Sequence, residues 1–113
     1  MDKKIKIALA QLNPLVGDVL GNIKKLTTIR SRLDSDVDVL VVPELYISGY
    51  PIDDLVLRED FLSLVASEIK RLIEITKDGK SAIIFGAPRK DKAVIKNSVY
   101  VIENGKVVAI RDK

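Results

Sequence analysis

Residues 37–57 read VDVLVVPELYISGYPIDDLVL, and the fold turns on this stretch. Val37, Val39, Leu40, Val41 and Val42 form a run of β-formers that stops at Pro43. Proline carries no amide donor and pushes the residue before it toward extended geometry. Val42 is therefore expected to end a strand, with Glu44 delivered at the strand's C-terminal lip. Apolar residues on both faces are the pattern of a central strand covered on both sides. In open α/β sheets the C-terminal ends of strands are where ligands gather. A carboxylate there, followed by a turn at Gly49 and Tyr50-Pro51, is a candidate general base. The alternative is a surface acid capping a turn.

Toward the N-terminus, residues 4–12 read KIKIALAQL. Ile5, Ile7 and Leu9 fall on one side of an alternating pattern, which predicts a strand. Asn13-Pro14 ends it, and Gly17-Asp18 makes a turn in which Asp18 suits an N-cap. Val19, Ile23, Leu26, Ile29 and Leu33 then recur at steps of three and four. That spacing predicts a helix over 19–34, with Lys24, Lys25, Arg30 and Arg32 elsewhere around it.

Toward the C-terminus, residues 43–57 read as a loop. Asp53 and Asp54 are read as caps of a short helical turn rather than as metal ligands. A second helix is expected over 58–77, with Phe61, Val65, Ile69, Leu72 and Thr76 inward. Glu59 and Asp60 suit the positive end of its dipole, Lys77 the negative end, and Gly79 the position just past it. Residues 81–86, SAIIFG, predict a buried strand ending before Ala87-Pro88, and 89–93 an exposed loop. Two strands over 95–103 and 106–112 flank Asn104-Gly105, the strongest short hairpin signal. The order is β-α-β-α-β-β-β, an α/β layer.

The 113 residues suit one small domain. Hydrophobic residues at 47% and charged residues at 31% mark a globular composition. The net charge of +3 is spread along the chain and aromatics are only 4%, which argues against a nucleic-acid partner. Cysteine and histidine are both absent. That removes disulfides, thiolate metal sites, Ser-His and Cys-His couples and the common zinc sets. Acid–base chemistry must then use carboxylates, lysine or tyrosine. No apolar run is long enough for a signal-peptide core or a membrane span, so a soluble, cytoplasmic protein is expected. Gly17 and Gly21 make no phosphate-cradling loop.

Four segments carry a resemblance: IALAQLNPLVGDVLGNIKK, VDVLVVPELYISGYPIDDLVLREDF, IIFGAP and KNSVYVIENGKVVAIRDK. In order and spacing over the whole chain they resemble the carbon–nitrogen hydrolase (nitrilase) superfamily. Within it they look most like the glutaminase domain of glutamine-dependent NAD synthetases. The opening Gln11, Asn13, Gly17 and Asp18, and then Pro43-Glu44-Leu45, Gly49-Tyr50-Pro51 and Asp54-Leu55, are the specific parts.

The resemblance implies a glutamate–lysine–cysteine site for amide C–N hydrolysis. Glu44 stands where the family has its general base, which takes the proton of the attacking thiol. Lys113, eight residues after Gly105, matches the family's lysine, which stabilises the oxyanion of the tetrahedral intermediate. The family's cysteine lies further downstream than these residues reach. So do the ATP-using synthetase domain and its phosphate loop, and no cofactor is expected in this segment.

The expected architecture is thus the first part of a truncated α-β-β-α sandwich, with residues 1–113 as the N-terminal segment of the hydrolase domain. The polypeptide alone is expected to be inactive. It is expected to act on glutamine or another small amide only when completed by the missing half. One sheet face would lack its cover, so self-association or a partner chain carrying the cysteine is expected. Two other readings are a fragment of another amidase of the superfamily, and a non-catalytic α/β interaction module or remnant.

Overall fold

The alternating signals resolve into strands and helices in the expected order in the computed structural model, which describes residues 3–51 and 53–113. Strand β1 (Ile7–Leu9) leads into helix α1 (Val19–Ser31), strand β2 (Val39–Val41) and helix α2 (Glu59–Ile75). Strands β3 (Ala82–Asp91), β4 (Val94–Glu103) and β5 (Lys106–Asp112) complete the chain. They form one mixed sheet in sequence order. β1, β2 and β3 are parallel, and β3, β4 and β5 are antiparallel.

Both helices pack on one face of this sheet. Val19, Ile23 and Leu26 of α1 and Phe61, Val65, Ile69 and Leu72 of α2 meet Leu40, Ile83, Phe85 and Ile102 in a single core. The helical stripes read from the spacing are therefore the buried ones, although α1 ends at Ser31, short of the expected 34. Asp18 caps α1 by accepting from the Gly21 amide. Gly79 follows α2 and its terminal 3₁₀ turn in the left-handed region.

The opposite face of the sheet carries no helix among the described residues. Within these residues β2 is covered on one side. Leu40 is buried, whereas Val39 and Val41 on the other face are only half-buried. It also fixes the sense of the first strand. Ile5, Ile7 and Leu9 do share a side, but it is the open one: Ile7 is 55% and Leu9 79% exposed. The inward side belongs to Ala8, Ala10 and Leu12, which are partly buried against the core.

One further boundary and one side chain differ from expectation. β3 does not stop before Ala87-Pro88, and residues 89–91 are strand rather than loop. The carbonyls of Ile84 and Gly86 accept from Val42 and Ile47, so alternate residues of β3 turn their backbone groups away from β4. Pro88 falls on that set, and its missing N–H removes nothing from the β3–β4 ladder. Arg30 is the second case. It is buried, with its guanidinium on the Ser81 carbonyl and the Asp78 carboxylate, rather than on a solvated helix face.

The 43–57 segment contains a 3₁₀ turn, Asp53–Leu57, where a short helical turn was expected. The capping role read for the Asp53 side chain lies outside what is described. The hairpin falls at Asn104-Gly105, both with positive φ (51° and 75°).

Candidate active site

Parallel β2 ends just as β3 continues, so the chain after Val42 must leave the sheet at its C-terminal edge. Val42 makes the last ladder contact, donating to the Ile84 carbonyl at 3.0 Å. Pro43 then prevents another, and Glu44 projects at the lip, as the sequence predicted. Leu45 turns the chain with a φ of 51°, and the Ile47 amide donates to the Gly86 carbonyl at 3.2 Å.

This turn lies so close to β3 that position 86 has no room for a side chain. A Cβ on Gly86 would sit 2.4 Å from the Leu45 amide nitrogen. Glu44 therefore owes its place to a glycine forty-two positions further on.

The rest of the loop is held from the helix side. Tyr46, Ile47 and Ser48 are fully buried. The Tyr46 hydroxyl donates to the Asn22 carbonyl at 2.9 Å. The Asn22 side chain accepts from the Leu15 amide and donates to the Leu15 and Ile47 carbonyls. One buried asparagine thus ties the 13–18 turn to the 43–50 loop. Gly49, with a φ of 79°, lets that loop run against the Val16 backbone, where a Cβ would meet Val16 Cα at 2.7 Å.

Lys113 arrives from the far edge of the sheet. Its backbone amide donates to the Asn97 carbonyl at 2.9 Å. The preceding residue, Asp112, is pinned on the other face by the Ser98 hydroxyl at 2.6 Å and by Arg89. Lys96 adds a third contact at 3.3 Å. These donors, Ser98 first and Arg89 second, hold the Asp112 carboxyl down at about 2. Anchoring Asp112 points the next side chain to the open face of the sheet.

There the two residues singled out from the sequence meet. Lys113 Nζ donates to Glu44 Oε1 at 3.0 Å, across sixty-nine positions of chain. Asn97 Nδ2 donates to the same oxygen at 2.8 Å. The Lys113 hydrogen bond, then the Asn97 hydrogen bond, then the lysine charge hold the Glu44 carboxyl below its usual range. The hydrogen bond to Glu44 raises Lys113 in turn. Both side chains stay open to solvent, Glu44 at 51% and Lys113 at 75%. An ion pair so exposed contributes little to stability. The three groups border a cavity of about 350 Å³ whose apolar floor includes Val41, Ile84 and Val99.

Chemically this is a fixed carboxylate, a fixed ammonium and a neutral amide donor around an apolar hollow. It offers a proton acceptor and a cation to stabilise developing negative charge. A thiol is not among these 113 residues. Asn97 and Gly86 were not singled out from the sequence. The available signals were an asparagine inside a β-rich run and a glycine at the end of an apolar one, both unfavourable in strands.

The chain is 33% identical over 112 residues to the glutamine-dependent NAD(+) synthetase of Thermotoga maritima, covering 98% of this chain and 19% of that protein. It is 32% identical over 110 residues to the Rhodobacter capsulatus protein of the same name, covering 96% of this chain and 20% of that one. It therefore spans about a fifth of the length of these relatives.

A crystal structure of a glutamine-dependent NAD(+) synthetase from Cytophaga hutchinsonii superposes with a TM-score of 0.83 at 26% identity, over 96% of this chain and 19% of that one. An amidase of the nitrilase superfamily from Nesterenkonia shares the fold, with a TM-score of 0.81 at 20% identity, over 96% of this chain and 42% of that one. The five-stranded sheet with its two helices is thus part of a nitrilase-type fold. The family model described as carbon–nitrogen hydrolase matches residues 6–113, nearly the whole sequence. The chain belongs to the carbon–nitrogen hydrolase family.

Proposed function

We propose that these residues supply the base and the oxyanion-stabilising lysine of a glutaminase site, the ammonia-producing part of a glutamine-dependent NAD synthetase. The observation that carries this reading is the Glu44–Lys113 contact at 3.0 Å, at the lip of β2 and above an apolar cavity. The similarity to NAD synthetases along 98% of the chain favours glutamine over other amides. The site works in the cytoplasm, and the ammonia passes to an ATP-using synthetase domain beyond these residues.

In this reading a cysteine from outside the 113 residues enters the cavity and gives its proton to Glu44. The thiolate attacks the amide carbonyl carbon, and the oxyanion forms beside the Lys113 ammonium. The C–N bond then breaks, ammonia leaves with the proton held by Glu44, and water hydrolyses the thioester. The polypeptide alone, with a base and a cation but no nucleophile, releases no ammonia from glutamine.

A chimera tests the reading. The segment replaces its matching 112 residues in the Thermotoga maritima protein, and ammonia release from glutamine is measured. The chimera is expected to be active. Glu44→Gln and Lys113→Met are each expected to lower kcat by at least about 100-fold, the scale of a lost general base or oxyanion donor. A folded, active chimera indifferent to Glu44→Gln would overturn the assignment.

A further inference from the structure

We infer that Asn97 is a positioning residue that commits one oxygen of Glu44 and leaves the other as the proton-accepting atom. This deepens the amidase reading and rests on it. Glu44 Oε1 accepts from both Asn97 Nδ2, at 2.8 Å, and Lys113 Nζ, at 3.0 Å. Among the described residues Glu44 Oε2 accepts from none. An oxygen already holding two donors is a poor acceptor for a third proton, and its twin is the better one. The lysine alone does not fix this, because an ammonium on a flexible stem serves either oxygen. The asparagine does. Its amide is planar and set by a strand, and a carboxylate only accepts, so nitrogen is the atom turned toward Glu44.

Asn97 also acts on the other partner. Its backbone carbonyl accepts from the Lys113 amide at 2.9 Å, so the same residue holds the base by its side chain and the cation by its main chain. Its place in β4 makes this possible. Asn97, Val99 and Val101 alternate with Ser98, Tyr100 and Ile102, whose side chains are buried toward the helices. Asn97 is the polar member of the open-face set and sits opposite Pro88, level with the point where β2 has ended.

An asparagine suits this task better than its isosteres. Aspartate would set a second carboxylate against Glu44 Oε1, and one of the two would have to hold a proton. Alanine would leave Oε1 to the lysine alone. The other charged groups bordering the cavity are Lys113, Arg111 and Asp112, all at the end of β5. Tyr50, on the loop of Glu44, acts on the charge of Lys113.

Two measurements test the inference. The first needs no activity. In the 113-residue polypeptide the Glu44 side-chain carbon and the Asn97 side-chain amide protons are followed by NMR across acid pH. The amide protons are expected to shift with the Glu44 midpoint and to lose that response in Glu44→Gln. Asn97→Ala is expected to raise the midpoint, and the isosteric Asn97→Asp to raise it further. A packing role would leave the Glu44 midpoint unmoved in Asn97→Ala.

The second uses the chimera described above. Asn97→Ala is expected to lower kcat on the order of 10- to 100-fold, the scale of one hydrogen bond to a charged group, with KM nearly unchanged. Asn97 amide protons blind to Glu44 would overturn the inference, and so would an active chimera whose kcat survives Asn97→Ala. A folded chimera inactive with Asn97 in place would instead sink the amidase reading, and the positioning role with it.

Discussion

The candidate base is positioned less by its own neighbours in sequence than by an absent side chain on another strand. Glu44 and Leu45 cross directly over Gly86, and the Leu45 amide occupies the volume that a methyl group would need. Gly86→Ala must therefore push the turn off the sheet or bend β3. Backbone is the obstruction, so no rotamer change relieves it. The expected cost is about 1–3 kcal/mol, as for overpacking elsewhere in protein interiors. Thermal melting checks this, and the displaced Glu44 should also stop perturbing the Asn97 amide protons. Melting unchanged from wild type would mean that the close approach is not enforced. The lowered pKa of Glu44 has a separate cause, the donors gathered on its carboxylate. A carboxylate held by a lysine and an amide is ionised at neutral pH and ready to accept a proton, though weakly basic.

At the scale of elements, α1 is clamped at both ends by polar side chains that its periodicity did not reveal. Asn22 ties its first turns to two loops, and Arg30 ties its last turn to the entrance of β3. Arg30 binds both oxygens of Asp78 at 2.9 Å, while the Lys80 amide also donates to Asp78. These contacts, the Arg30 hydrogen bonds first, bring the Asp78 carboxyl down to about 2 from its ordinary 3.8. A group whose folded value is depressed stabilises the fold above its unfolded value and loses that effect as pH falls through the folded one. Wild type should therefore melt higher than Asp78→Asn at neutral pH, with the gap closing between 3.8 and about 2. Melting temperatures of the two proteins over that range decide it; a gap independent of pH would sink the claim. Arg30→Met is expected to cost about 3 kcal/mol at neutral pH, because it strands a buried carbonyl and a carboxylate. Apolar spacing and turn residues were enough to read the order of elements, both helical stripes, the hairpin and the lip that carries Glu44. Lys113 was legible only through family resemblance. Arg30 read only as a residue off the apolar stripe of α1, because charge alone does not disclose a partner forty-eight positions away. Pro88 looked like a strand end because the sequence does not say which side of β3 has already lost its neighbour. Asn97 and Gly86 matter only across the sheet, where periodicity carries no information.

At the scale of the whole molecule the asymmetry of the sheet is the main physical fact. One face is sealed by two helices, and the other presents Ile7, Leu9, Val99 and the half-buried Val39, Val41, Ile84 and Val101. Contiguous apolar surface of this kind drives association in water. The sheet edges are poorer sites for it. β1 is three residues long, and β5 carries Lys106, Arg111 and Asp112, features that discourage strand addition. A second copy of the 113-residue polypeptide should therefore cover the open face, rather than extend the sheet. Sedimentation of the purified polypeptide at micromolar concentrations is expected to show a concentration-dependent shift from monomer toward dimer or higher species. The double substitution Ile7→Lys and Leu9→Lys should return it to a folded monomer, since both side chains are already mostly exposed within one copy. Leu64→Lys, a similar change on the solvent side of α2, should leave the association intact. A monodisperse wild-type monomer would refute the argument, and so would association that survives charge on β1. The same experiment bears on the cavity, because its apolar floor is continuous with this face through Val41 and Ile84.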